Sequence, residues 1–161
     1  LMDMIGNDIN FSVTETVWKQ MFYDARYRPS ITQQRLFEAG LYGRKSGRGY
    51  YDYAVTATKP EPTADDRKLQ YVFNRILCML INEAADALYL AIASRDDIET
   101  AMTKGVNYPK GLLRWADEIG VSKVCDTIER LHADYLDDRY RPSLLLKKRK
   151  ILPCNIALPI L

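Results

Sequence analysis

Few side chains in this 161-residue chain are of a type that does chemistry, and they form no familiar catalytic pattern. The single histidine, His132, stands between Leu131 and Ala133 on an amphipathic stretch, where a surface or boundary position fits better than a general base. Cys78, Cys125 and Cys154 lie far apart, giving neither a disulfide framework nor metal-ligand spacing, which suits a reducing cytoplasm. The run Gly43-Arg44-Lys45-Ser46-Gly47-Arg48-Gly49 is richer, because backbone amides of glycine loops bind phosphate. A Walker loop, however, places glycine immediately before its lysine, and here Arg44 precedes Lys45; a dinucleotide fingerprint needs a third glycine and a following helix. The competing reading is a tight turn that aims an aromatic extended segment, Tyr50 to Val55, at a helical core, with the arginines solvated. We favour the turn. Asn82, Glu83 and Asp86 interrupt an apolar helix and need partners if buried, and capping or interface bonds supply these more often than catalysis does.

The element that must position these residues runs from Asp66 to Ser94. Leu69, Val72, Phe73, Ile76, Leu77, Leu80, Ala84, Leu88 and Ile92 follow three-and-four spacing, and Met79, Ile81, Ala85 and Leu90 widen the stripe. One flat partner cannot cover such a helix, so other helices should wrap it. Thr63 with Asp66 reads as its capping box, and Ser94 with Asp97 as the cap of the next helix. Before it, a short helix ends at Gly6, a second carries Val13, Val17, Trp18, Met21 and Phe22, and a third starts at a Ser30–Gln33 capping box and ends at Gly40. After it come helices ending at Gly105 and at Gly120, the latter from Pro109 to Ile119, and another marked by Val124, Ile128, Leu131 and Tyr135.

Composition excludes little. A net charge of +2 with 27% charged residues points to no nucleic acid, and the basic runs GRKSGRG and KKRK make no continuous face. The long apolar helix carries Asn74, Arg75, Asn82, Glu83 and Asp86, so no membrane span is expected. The chain opens on Leu-Met-Asp-Met-Ile-Gly, as if inside an element, so we expect a fragment.

A repeat organises the rest. Arg-Tyr-Arg-Pro-Ser occurs at Arg26 to Ser30 and again at Arg139 to Ser143, and Asp3, Ile5 and Gly6 correspond to Asp117, Ile119 and Gly120. The glycines lie 114 residues apart and the first arginines 113 apart, a one-residue difference across a whole helix. Two unequal copies of one unit follow: residues 1–55 are the later part of a first helical repeat, 56–65 a linker, 66–150 a second repeat and 151–161 an unassigned tail. The first copy's own long helix would lie ahead of Leu1.

With Asn74-Arg75, Asn82-Glu83-Ala84, Ala93-Ser94, Asp97-Ile98, Ala101-Met102, Gly105, Pro109, Gly111, Asp117 with Gly120, both Arg-Tyr-Arg-Pro-Ser runs and the Gly43–Gly49 loop with Tyr50, the chain resembles the C-terminal helical domain of the 3-hydroxyacyl-CoA dehydrogenases, in the tandem form where that domain occurs twice. Leu112 departs from the pattern, which commonly has a second proline there. The resemblance implies an all-α multihelical bundle around long antiparallel helices, like the C-terminal domain of 6-phosphogluconate dehydrogenase, in a pseudo-duplicated form.

The resemblance also implies fatty-acid metabolism such as β-oxidation, with hydride passing from a 3-hydroxyacyl-CoA to NAD. The NAD and the histidine base belong to a nucleotide-binding domain that is not in this sequence. Asn74 matches an asparagine near the substrate's reacting oxygen, but it lies in the second copy, where a structural role is the stronger reading. Family members dimerise through this domain, so a homo-oligomer is expected. The alternative is a non-catalytic helical oligomerisation module.

Overall fold

The structure, a computed structural model, describes residues 1–58 and 60–151. The chain is all-α and divides into two compact units, with the boundary between Ala64 and Asp65.

In the first unit, α1 (Met2–Ile5) and α2 (Asn7–Gln20) meet at Gly6, and α3 (Ile31–Glu38) follows the proline turn. The Ser30–Gln33 capping box is complete: the Ser30 hydroxyl accepts from the Gln33 N–H, and Gln33 Oε1 accepts from the Ser30 N–H at 2.8 Å. Phe11 stacks on Phe37 between α2 and α3. No extended strand forms at Tyr50 to Val55. Isolated bridges join Gly43 to Arg48 and Arg48 to Asp52, because the amides of Tyr50 and Tyr51 go to a side chain instead of a neighbouring strand.

The second unit is built on α4 (Asp66–Tyr89). Its cap is Asp65, which accepts from the Arg67 and Lys68 N–H groups, and not the expected Thr63 box. It ends five residues before Ser94. Ala91 takes φ +52°, its N–H donates to Leu88 O and that of Ile92 to Ala87 O, a Schellman ending with alanine where glycine usually sits. Ser94 then caps α5 (Arg95–Thr100), which runs on into a π-helical turn, Ala101–Gly105.

The next helix, α6 (Leu112–Ile119), starts three residues later than expected, because Pro109 and Lys110 lie in the bend before its cap, Gly111. It is followed by α7 (Val121–Tyr135) and α8 (Leu144–Ile151), so Ile151 belongs to a helix; the rest of the expected tail lies outside the described residues. Leu77, Ile81 and Ala85 of α4 pack in one buried cluster with Leu113, Val124, Ile128 and Leu146. The burial stops halfway along α4: Leu69, Val72, Phe73 and Ile76, on its N-terminal half, are about half exposed.

Gly111 shows how tertiary packing decides a local residue. A helix begun by glycine has no side chain to cap it, and Glu99 of α5 takes over, its Oε1 accepting from the Leu113 and Arg114 N–H groups at 2.8 and 3.2 Å. A Cβ at position 111 would lie 1.7 Å from Glu99 Oε2. We expect Gly111→Ala to displace that carboxylate and to cost about 1–2 kcal/mol, the worth of a lost cap. A thermal melt unchanged from the parent's would refute this.

The duplication extends into backbone geometry. Gly6 and Gly120 each join two helices, with φ/ψ of 112°/128° and 97°/118°. Asp24 and Asp137 each accept from the N–H two residues on, Arg26 and Arg139, at 2.9 Å. Arg28 and Arg141 leave these turns at φ/ψ of −60°/132° and −56°/118°, the extended geometry that a following proline requires.

Candidate functional site

In the first unit the glycine loop closes around Asp3. Asp3 is buried, and its Oδ1 accepts from the Tyr50 N–H and from Asn7 Nδ2, while Oδ2 accepts from the Tyr51 N–H and the Tyr53 hydroxyl, all at 3.0 Å. Two glycines make room. A Cβ at Gly49 would lie 2.3 Å from Asp3 Oδ1, and one at Gly43 2.4 Å from the Asp3 carbonyl oxygen. Burial pushes the Asp3 carboxyl upward, but the hydrogen bonds from Tyr50, Tyr51, Asn7 and Tyr53 outweigh it and hold the group below its ordinary value. Desolvation and then Asp3 itself push the Tyr53 phenol up, so it stays a donor.

This arrangement tests the fit of NAD. A pyrophosphate would need the loop's amides, and those of Gly43, Ser46, Gly47 and Gly49 already donate to the chain's own carbonyls. Ser46 is likewise engaged, its Oγ within bonding distance of the Tyr42 N–H and the Gly43 and Arg48 carbonyls. The glycine loop therefore does not fit a pyrophosphate.

In the second unit the repeated turn is fastened to α4. Arg75 lies over the rings of Tyr135 and Tyr140 and donates to both hydroxyls, at 3.0 Å to Tyr135. One helical stretch further on, buried Asn82 grips the turn twice. Its Nδ2 donates to the Arg141 carbonyl at 3.0 Å, and its Oδ1 accepts from the Ser143 N–H at 2.7 Å. The sequence marked Asn82 as a polar residue needing a partner; the partner is the backbone on either side of Pro142.

Asn74 is not brought to this cluster. It is exposed on α4, where its Oδ1 accepts from Gln70 Nε2 at 2.8 Å. His132 is half-buried, with Nε2 3.9 Å from Asp138 Oδ1. Burial pushes the Cys78 thiol up, and burial followed by Glu129 pushes that of Cys125 to about 11, so neither offers a thiolate. Among the described residues no three histidine, cysteine or carboxylate side chains gather as a metal site, and no helix is long and apolar enough to cross a membrane.

The sites missed by sequence reading are Asp3 and Glu99. Both are single carboxylates that accept backbone N–H groups from segments 14 to 48 residues away. No spacing rule announces such a pair.

The fold and its paired turns define a duplicated helical domain, and the chain belongs to the family described as 3-hydroxyacyl-CoA dehydrogenase, C-terminal domain, which matches residues 1–53 and 71–151. Among individual proteins, it is similar to the 3-hydroxyadipyl-CoA dehydrogenase of Escherichia coli K12, at 27% identity over 94% of this chain and 50% of that protein. A crystal structure of a 3-hydroxybutyryl-CoA dehydrogenase from Escherichia coli K12 superposes with a TM-score of 0.77 at 28% identity, covering 94% of this chain and 50% of the other. A probable 3-hydroxybutyryl-CoA dehydrogenase of Bacillus subtilis is 40% identical over 48% of this chain and 27% of its own. The chain thus spans half or less of the length of these relatives.

Proposed function

We propose that this chain serves as the helical portion of an NAD-dependent 3-hydroxyacyl-CoA dehydrogenase, which oxidises a 3-hydroxyacyl-CoA to the 3-oxoacyl-CoA. Residues 1–55 and 66–150 are its two helical repeats, joined by 56–65. The observation that carries the reading is the match of two stretches to one dehydrogenase domain, in a chain that covers half of its relatives. Hydride chemistry is assigned to a nucleotide-binding domain outside these 161 residues. The helices supply one wall of the acyl-CoA cleft and an association core, in the cytoplasm as suits relatives from bacteria. Asn74, accessible on α4, is the candidate substrate contact.

The purified chain with NAD and 3-hydroxybutyryl-CoA or 3-hydroxyadipyl-CoA is expected to form no NADH. Turnover above the enzyme-free control would overturn the division of labour. Sequencing upstream of the codon for Leu1 tests the assignment itself: a glycine fingerprint and a histidine–carboxylate pair are expected. A gene without them would leave the non-catalytic association module.

Self-association belongs to the same reading. On α2, Val13 and Val17 are exposed on one face with Met21 just past its end, as are Leu69, Val72, Phe73 and Ile76 on α4, and apolar helical faces of this kind are covered in stable assemblies. Light scattering on the eluting peak of a size-exclusion column should give at least twice the 18.6 kDa chain mass. A monomer at micromolar concentration would count against it.

A further inference from the structure

In the first unit a loop closes the corner where α2 begins. In the first unit the Asn7 N–H donates to the Tyr42 carbonyl at 3.1 Å, Asn7 Nδ2 donates to the Leu41 carbonyl at 2.8 Å, and Lys45 pairs with Asp8 at 2.6 Å. The segment after α3 therefore lies across the start of α2. At the 114-residue offset of the glycines, Asn7, Asp8 and Ile9 correspond to Val121, Ser122 and Lys123. The polar side chains that receive the loop have been exchanged, and here the second unit holds a cavity of about 670 Å³.

Its size is within the roughly 300–1,000 Å³ of small-molecule sites. Its walls include Leu88, Leu113, Ala116, Val121 and Leu145. Its polar lining is mostly cationic. Arg95 is already paired with Asp117, whereas Lys123 and Arg149 have no ion-pair partner among the described residues. An open apolar cavity bordered by Lys123 and Arg149 complements a molecule with a hydrocarbon body and one negative end.

We propose that this cavity binds an aliphatic carboxylate of medium chain length, its hydrocarbon against the leucines and its carboxylate toward Lys123 and Arg149. The site lies within the second unit and does not depend on the dehydrogenase reading. Isothermal titration of the full 161-residue chain with decanoate, decan-1-ol and decyltrimethylammonium tests it. Decanoate should saturate one site and bind about tenfold or more tighter than the alcohol, a difference of about 1.4 kcal/mol, with the ammonium not binding.

Two exposed-residue changes, Lys123→Glu with Arg149→Glu, should leave the circular dichroism spectrum unchanged and invert that order. Ala116→Phe should remove decanoate binding by filling the chamber. Equal affinity for acid and alcohol, indifference to the double charge reversal, or no saturable binding would each overturn the proposal. So would binding that emerges only in a chain ending at Ile151, since the cavity would then belong to the protein's own C-terminal residues.

Discussion

Asp3→Ala is expected to destabilise the first unit by at least about 3 kcal/mol, because it strands four donors that now converge on one buried carboxylate, and each buried donor left unpaired costs about 1–3 kcal/mol. Asn7 gains no replacement from its surroundings. Its Oδ1 is already without a partner among the described residues, and its Nδ2 would keep only the Leu41 carbonyl. Urea denaturation in a Trp115→Phe background, where Trp18 reports on the first unit, measures the effect. A loss below about 1 kcal/mol would show that the glycine loop holds without its anion.

The same carboxylate sets a pH dependence. Its folded pKa lies below the ordinary aspartate value of 3.8, so on acidification the unfolded chain takes up the proton first. The stabilisation is full above that value and fades as pH falls through the folded pKa. The stability gap between parent and Asp3→Asn should therefore narrow between pH 5 and pH 3; a gap that widens would contradict this sign.

The second large effect is expected at Asn82. Asn82→Ala should cost the second unit about 2–4 kcal/mol, the range for breaking a buried hydrogen-bond pair in a packed core. The first unit shows why the turn has no fallback. There the serine N–H after the proline is held by Gln33 through the capping box, but the residue in register with Gln33 in the second unit is Leu146, buried in the core. Ser143 can reach only α4. Asn82→Asp should also destabilise, since it keeps the acceptor for Ser143 but loses the donor to Arg141 and buries a charge. Thermal unfolding of either variant within about 0.5 kcal/mol of the parent would show that the turn is held by its own local bonds.

These two sites also mark what could be read from sequence and what could not. The helices were legible because three-and-four spacing and caps are local properties. Ser30 with Gln33, Ser94 with Asp97, and the glycines at 6 and 120 each act within a few residues of themselves. Helix ends were less legible. The Schellman turn at Ala91 uses a residue with no preference for positive φ, and the start of α6 waits for Glu99. Asn74 could be matched by position, yet its amide lies on the solvent side of α4 while Arg75 and Asn82 take the inner side.

The sequence by itself determined that the chain is helical, that it carries one unit twice, and which dehydrogenase family that unit belongs to. Those facts rest on periodicity, punctuation and repeated runs, all recorded along the chain. Only the tertiary structure decided that Gly43 and Gly49 wrap an aspartate instead of a phosphate, that Glu99 starts a helix on another segment, and that Val121 to Lys123, in register with the corner at Asn7 to Ile9, line a cavity. Each depends on which backbone amides a carboxylate or a void meets across tens of residues, and that is set by packing.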